Sequence, residues 1–408
     1  MSEIVVIGGG AAGMMAAVFA ARAGGNVTLL EKNEKLGKKV YITGKGRCNL
    51  TNDCDLDEFL AQVPRNPRSL YSALSFFSPR DMMSLLEENG CPVTVQRGKR
   101  VFPSSEKASD VTRALASLLW KLNVRVRLST GVRSLSLRGG LVSGAELTDG
   151  SVLPADAVIL ACGGLSYPST GSTGDGYRLA ASAGHTLIPR SPVLVGLETM
   201  ESWPKSLQGL SLRNVTLTLS SGRKVLYSEL GEMLFTHFGV SGPLVLEASC
   251  HLPDPPGGAA LSIDLKPGLT REQLDARLCR DFAEAGRKQL KSVLPGLLPA
   301  SLADLFPSIL SIDASLPCSQ ITAARRESLL SGLKALPLTV RSPRPVEEAV
   351  VTRGGVSVKE IEPGTMRSKL VPNLFLAGEM IDVDAHTGGF NLQIAWSTGA
   401  LAGQSSVL

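Results

Sequence analysis

Residues 3–31 run Glu-Ile-Val-Val-Ile-Gly-Gly-Gly-Ala-Ala-Gly, then a stretch of small residues, then Asn-Val-Thr-Leu-Leu-Glu. No other segment constrains the chain so tightly. It reads as an apolar strand, a glycine turn, a helix and a second strand ending in an acid. Gly8, Gly10 and Gly13 have the spacing of a dinucleotide fingerprint, and Glu31 ends the next strand, where a ribose diol would sit. The glycines serve different physical ends. Gly8 permits the tight turn, Gly10 lets the backbone approach a pyrophosphate, and Gly13 lets helix and strand close together. Ala12 belongs to the same turn, where free N–H groups and the positive end of the helix dipole favour phosphate.

At 408 residues the chain is too long for one small core, and two or three domains are expected. The net charge of +5 is modest, only 5% of residues are aromatic, and no basic stretch is interleaved with aromatics, which argues against a nucleic-acid partner. Residues 4–24 are apolar enough to resemble a membrane span, but three successive glycines, Arg22 and the flanking strands favour a buried helix of an α/β domain. The first strand begins almost at Met1 with no basic leader, and the seven scattered cysteines contain no C-x-x-C. A cytoplasmic protein with neither a disulfide framework nor a metal site is expected. Oligomeric state leaves no signal in the sequence.

Residues 32–52 contain Lys32, a cluster of Lys35, Lys38, Lys39 and Lys45, and a Gly/Thr/Asn-rich stretch read as a loop. Residues 57–90 and 106–121 read as helical, with Ser78-Pro79 a helix start. From 132 to 160 short strands alternate, with turns at Gly139-Gly140 and Asp149-Gly150, and 157–160 is a buried parallel strand ending in Ala161 and Gly163. Residues 165–176 form a second long polar loop. Residues 195–265 look β-rich, 270–336 helical behind a Thr270/Gln273 capping box, and 338–340, 346–352 and 356–361 return to strand. The chain closes with a buried strand at 373–379 and a helix from about Asn391. The predicted fold is α/β: a Rossmann-type domain split between residues 1–195 and 354–408, an inserted β-rich domain of 196–268 plus 337–353, and a helical subdomain of 269–336.

The C-terminal segment bears on which cofactor is held. Gly378, Glu379 and Asp382 lie at the carboxyl end of a buried strand, where open α/β sheets bind ligands, and Thr387-Gly-Gly-Phe-Asn391 opens a helix. A helix N-terminus beside the N1–C2 edge of a flavin would stabilise the negative charge that develops there on reduction.

Thr-Gly-Lys-Gly-Arg-Cys-Asn-Leu-Thr-Asn at 43–52, Thr-His-Phe-Gly-Val-Ser-Gly-Pro at 236–243 and Ala-Gly-Glu-Met-Ile-Asp-Val-Asp-Ala-His-Thr-Gly-Gly-Phe-Asn-Leu-Gln at 377–393 resemble the BaiN-like bacterial flavoproteins. The resemblance spans essentially the whole chain and departs from the family pattern at Ala385 and His386. It implies a split FAD-binding domain, an inserted β-barrel-like domain and a helical subdomain. It also implies Glu31 at the adenosine ribose, Arg47 and Cys48 with Gly44 in a loop near the cofactor, and a backbone contact from Val132 to adenine. Glu379, Gly389, Asn391 and Leu392 would line the ribityl and flavin end. The activities that it implies are NAD(P)H-dependent reduction of steroid or bile-acid enones, or oxidation of a small amino ketone.

Enone reduction of a small-molecule substrate needs hydride delivery to the β-carbon and a proton donor for the α-carbon. His386, His237 and Tyr167 are the candidate donors, with His386 foremost because it precedes the flavin-facing glycines; His185 and His251 have no supporting motif. Cys48 beside Arg47 admits two readings, a low-pKa thiol or a small packed residue, and the second is preferred. The absence of a second glycine fingerprint leads us to expect NAD(P)H to dock transiently over the flavin. Two alternatives stay open at this point: an oxidase of a small amine or amino ketone, and a flavin-binding protein whose redox state controls a partner.

Overall fold

The structure is a computed structural model that describes residues 1–253 and 255–407. It divides into two compact units, Met1–Pro192 with Val346–Leu408, and Val193–Pro345.

In the first unit, five parallel strands lie in the order Leu374–Leu376, Ala157–Leu160, Glu3–Ile7, Asn26–Leu30 and Arg125–Arg127. Two short antiparallel strands, Arg367–Ser368 and Ile361–Glu362, extend the sheet beyond Leu374–Leu376. The central strands are nearly continuous apolar runs because they are buried: helix Ala11–Arg22 packs on Glu3–Ile7 and Asn26–Leu30, and strand Leu141–Leu147 packs on Ala157–Leu160. The expected turns are present: Gly139 and Gly140 both take positive φ (59° and 80°), as a two-residue hairpin between Val132–Arg138 and Leu141–Leu147 requires.

Two helices from opposite ends of the sequence pack against each other here. Ala11–Arg22 follows the fingerprint, and Phe390–Ser405 ends the chain. A Cβ at Gly399 would lie 2.2 Å from the Ala12 carbonyl oxygen, and one at Gly403 2.2 Å from that of Ala16. Only glycine at both positions, one helical turn apart, permits so close an approach.

The second unit is a closed barrel in the order Leu197–Thr199, Gly239–Ser241, Lys224–Phe235, Ser211–Ser221, Ala259–Asp264 and Leu336–Pro343. Helices Arg271–Ala285, Ala300–Ile309 and Ala323–Lys334 follow the fifth strand. Leu274, Phe282, Phe306 and Leu329 of these helices share one apolar core with Leu217, Leu261 and Leu338 of the barrel. The capping box at Thr270 and Gln273 is formed in both directions.

Several expectations are corrected. The helical stretch 57–90 is three helices, Leu56–Leu60, Tyr71–Phe76 and Pro79–Glu88, because Pro64 and Pro67 interrupt it and Asn66 takes φ 53°. The β-rich segment contains a helix, Pro243–Cys250, whose proline sits in the first turn, where its missing N–H costs nothing. Val346–Glu348 is a 3-10 turn, and the strand following it, Val351–Val356, pairs with Leu187–Val193. Residues 346–353 therefore belong to the first unit and not to the insertion. The helices of 269–336 bury their apolar faces on the barrel and share its core.

Candidate functional site

The fingerprint turn sits at the carboxyl end of Glu3–Ile7. Gly8 holds φ 105°, and a Cβ there would lie 2.5 Å from the Ala161 carbonyl oxygen. A Cβ at Gly13 would meet the Gly8 carbonyl oxygen at 1.7 Å, so the helix can close on the turn only with glycine. A Cβ at Gly10 would meet nothing within 4 Å, and no side chain caps the helix N-terminus that follows. The first-turn N–H groups thus have no side-chain cap, as an approaching phosphate requires.

Glu31 is buried at 7% exposure. Its Oε2 accepts from the Gly9 N–H at 2.7 Å, and its Oε1 accepts from the Asn33 N–H and Nδ2 at 2.8 and 2.7 Å. A carboxylate so held keeps its lone pairs oriented beside the turn.

The lysines are largely engaged. Lys32 bonds Thr173 and pairs with Asp175 at 2.6 Å. Lys39 Nζ reaches Ser166 Oγ and Glu379 Oε2, both at 2.6 Å. Glu379 Oε1 also accepts from Ser166 Oγ at 3.0 Å and the Thr352 N–H at 2.9 Å. This network joins the short helix Lys38–Ile42, where the sequence predicts a loop from residue 40, to the end of Leu374–Leu376. Lys38 pairs with Glu34 and Lys35 lies over Tyr41, whereas Lys45 and Gly44 are exposed in the loop.

The 43–52 loop underlies the last helix. Asn52 Nδ2 donates to the Gly388 carbonyl, and Trp396 Nε1 donates to that of Leu50 at 2.9 Å. Gly389, at φ 99°, precedes the helix, and a Cβ there would lie 2.4 Å from the Thr51 carbonyl oxygen. Asn391 accepts from the Ala385 N–H and donates to the Ala385 and His386 carbonyls, clamping residues 385–388 onto the helix start. His386 is half-buried, and its N–H donates to the Gln62 carbonyl at 3.0 Å. Leu392 packs on the first unit's core.

Asp382 is buried, accepts from Asn66 Nδ2 at 3.0 Å and faces the Arg65 guanidinium at 3.3 Å. Its Oδ1 carries no hydrogen bond among the described residues, and neither does the buried Tyr177 hydroxyl. Burial, then the nearby Glu379 charge, pushes the Tyr177 phenol up, so it remains a donor. A buried hydroxyl without a partner, that of Tyr177, together with the uncapped turn at Gly10, fits a ligand carrying both hydroxyls and phosphates. FAD is such a ligand.

The remaining predicted residues fall as follows. Gly163, at φ 73°, faces Ser172, and Ala161 is buried against Gly8. Gly378 takes φ 78° against the Ala12 methyl, and its N–H donates to Thr398 Oγ1. The Val132 carbonyl already accepts from Arg178 at 3.1 Å. The Arg47 guanidinium lies over Phe102 and reaches Glu106 at 3.2 Å. Cys48 is fully buried and its thiol is pushed up to about 12 by burial, which rules out the low-pKa reading. Tyr167 is half-buried with its N–H on the Glu347 carbonyl, and His237 is exposed in the second unit, edge-on to Phe238. Sequence reasoning missed Arg65, Asn66, Ser166, Thr352 and Tyr177. None stands in a spacing pattern, since Arg65 and Asn66 share one connecting segment and the other three reach the site from three further segments.

The chain is 34% identical to the 3-dehydro-bile acid delta(4,6)-reductase of Clostridium scindens over 100% of this chain and 99% of that one. It is 30% identical to the ribosomal RNA dihydrouridine synthase of Escherichia coli, over 97% and 96%. Among solved structures, a flavocytochrome c3 fumarate reductase matches at TM-score 0.54 and 16% identity, covering 99% of this chain and 78% of that one. The 3-ketosteroid-delta4-(5alpha)-dehydrogenase of Rhodococcus jostii matches at TM-score 0.50 and 16% identity, covering 99% and 97%. These likenesses support the fold. The enzyme is an FAD-dependent oxidoreductase. With residues 2–405 matched, the chain belongs to the HI0933-like protein Rossmann domain family.

Proposed function

We propose that this enzyme reduces a carbon–carbon double bond conjugated to a carbonyl in a small steroid- or bile-acid-like substrate, with NAD(P)H as the reductant. The observation that carries the reading is the clamp at 385–391, which seats His386 at the start of the last helix, beside the glycines on which the flavin end of FAD would rest. The full-length likeness to an enzyme named for delta(4,6) reduction supports it.

FAD, when bound and reduced by NAD(P)H, supplies the hydride that adds to the β-carbon. The protein does the rest. Gly8, Gly10, Ala12 and Gly13 receive the pyrophosphate at the N-terminus of Ala11–Arg22, and Glu31 takes the ribose. Glu379 is held rigid by Lys39, Ser166 and Thr352 toward the ribityl chain, with the Tyr177 hydroxyl offering an unused hydrogen-bonding group. The N-terminus of Phe390–Ser405 stabilises negative charge at the flavin edge. His386 would give a proton to the α-carbon as the C=C bond becomes C–C and would regain that proton from water, the NAD(P)H having left as NAD(P)+ in the earlier half-reaction.

A second reading has one observation behind it. The Escherichia coli relative is named for dihydrouridine synthesis, and the uridine C5=C6 bond is also conjugated to a carbonyl. The substrate would then be ribosomal RNA, with the same hydride and proton steps.

Anaerobic half-reactions test both. We expect NAD(P)H to bleach the yellow protein and a 4-en-3-one steroid to restore its colour. His386→Gln is expected to slow recolouring roughly 100-fold while leaving bleaching unchanged. Recolouring by unmodified ribosomal RNA and by no enone would establish the second reading. Bleaching by an amine with peroxide formed in air, and none by NAD(P)H, would replace both with an oxidase.

A further inference from the structure

The Val193–Pro345 unit contains a cleft of about 450 Å3 between the start of strand Ser211–Ser221 and the turn at 294–299. Strand Ala259–Asp264 pairs with Ser211–Ser221 only from Thr216 onward, so 211–215 present a bare edge on that side. On the other side the register with Lys224–Phe235 slips between Leu212 and Val215, and Asn214 takes φ 54°. A bulge of this kind redirects side chains out of the ladder.

The cleft is lined by Arg213 from this bulge, by Lys266 just past the end of Ala259–Asp264, and by Val215, Leu265, Leu297 and Leu298. These four apolar side chains are buried. Neither cation has a carboxylate partner within 4.0 Å among the described residues. The adjacent carboxylate, Asp264, is occupied: it accepts the Lys266 backbone N–H at 2.8 Å and pairs with Lys334 at 2.6 Å. A third cation, Arg277, donates to the Gly296 carbonyl at 3.2 Å in the cleft wall and has its own partner, Asp281, at 3.5 Å. Burial and then the Arg277 charge lower the proton affinity of Lys266. Lys266 is a partly buried cation without a carboxylate partner, and the exposed Arg213 lines the same cleft, so an anion with an apolar body would meet two free cations and the apolar lining together.

We propose that this cleft is a binding site for a small amphipathic carboxylate, its head between Arg213 and Lys266 and its body on Val215, Leu265, Leu297 and Leu298. A bare phosphate would gain nothing from that floor, and no aromatic side chain lines the cleft for a nucleic-acid base to stack on. The site is independent of the reading of the flavin centre.

Titration calorimetry of the FAD-loaded full chain with decanoate tests it, using decanol and inorganic phosphate as comparison probes. We expect decanoate to bind, decanol and phosphate to bind at least ten-fold more weakly, and Arg213→Gln and Lys266→Met each to weaken decanoate at least ten-fold. Lys266→Arg is expected to retain binding, and the flavin spectrum and melting temperature to be unchanged throughout. Should Lys266→Met fail to fold, Arg213→Gln at its exposed position decides. Decanoate binding that is absent, that decanol or phosphate matches, or that both variants leave intact overturns the proposal.

Discussion

Single residues here behave according to burial more than to neighbours in sequence. Arg47 stands next to Cys48 in the chain, yet its guanidinium turns to Phe102 and Glu106 while the thiol goes inside. Desolvation then outweighs any pull from the adjacent charge. The expected outcome with iodoacetamide at pH 8 is rapid labelling of the exposed Cys279 and none of Cys48 until the protein is unfolded, read by peptide mass spectrometry. Labelling of both at equal rates in native protein would refute the burial argument. His185 shows the same effect in a base. It is buried, with Nε2 on Ser368 Oγ at 2.8 Å and Nδ1 on Glu360 at 3.1 Å. Burial lowers its proton affinity, against the opposing pull of Glu360. The folded state therefore binds a proton less readily than the unfolded chain, whose histidine titrates near about 6.5. Stability is fully present above that pH and is lost as pH falls below it toward the depressed folded value. Melting temperature is expected to drop between pH 7 and pH 5.5, and His185→Gln to flatten that slope. An unchanged slope in the variant would assign the acid sensitivity elsewhere.

At the scale of elements, the contact between Ala11–Arg22 and Phe390–Ser405 decides whether the two ends of the chain can share a ligand. Gly403→Val puts branched carbons where a single Cβ already meets the Ala16 carbonyl oxygen at 2.2 Å. The backbone cannot yield there without separating the helices, and overpacking of this kind costs roughly 1–3 kcal/mol or more. The variant is expected to melt lower and to lose its flavin on gel filtration. A variant that stays yellow and melts like the parent would show the contact to be loose. Elements with a local chemical cause were legible in the sequence. The glycine turn, the hairpins at Gly139-Gly140 and Gly150, the Ser78 start and the Thr270 capping box each depend on a few adjacent residues. The helix Pro243–Cys250 was not legible, because a short apolar run fits strand or helix equally until its neighbours are known.

At the scale of the molecule, the two units have separate apolar cores, one built on the parallel sheet and one on the barrel and its helices. Within the second unit the entering and leaving segments meet, since the Arg344 N–H donates to the Gly196 carbonyl at 2.9 Å. Replacing 194–344 by a short Gly/Ser linker is therefore expected to leave the first unit folded. It should take up one FAD per chain, measured by absorbance after refolding with flavin. A colourless, unfolded product would show that the sheet domain depends on its insertion. The sequence alone determined the strand, glycine turn, helix and strand of residues 3–31, because that geometry is written in residues a few positions apart and needs only local backbone sterics. It also determined the run of elements with period-two or capped-helix patterns. Only the tertiary structure decided that Lys39, Ser166, Thr352 and Glu379 form one network, that Asp382 answers to Arg65 and Asn66, and that Cys48 is buried. Those facts depend on which distant segments come into contact and on how much water remains between them, quantities set by packing and not by spacing along the chain.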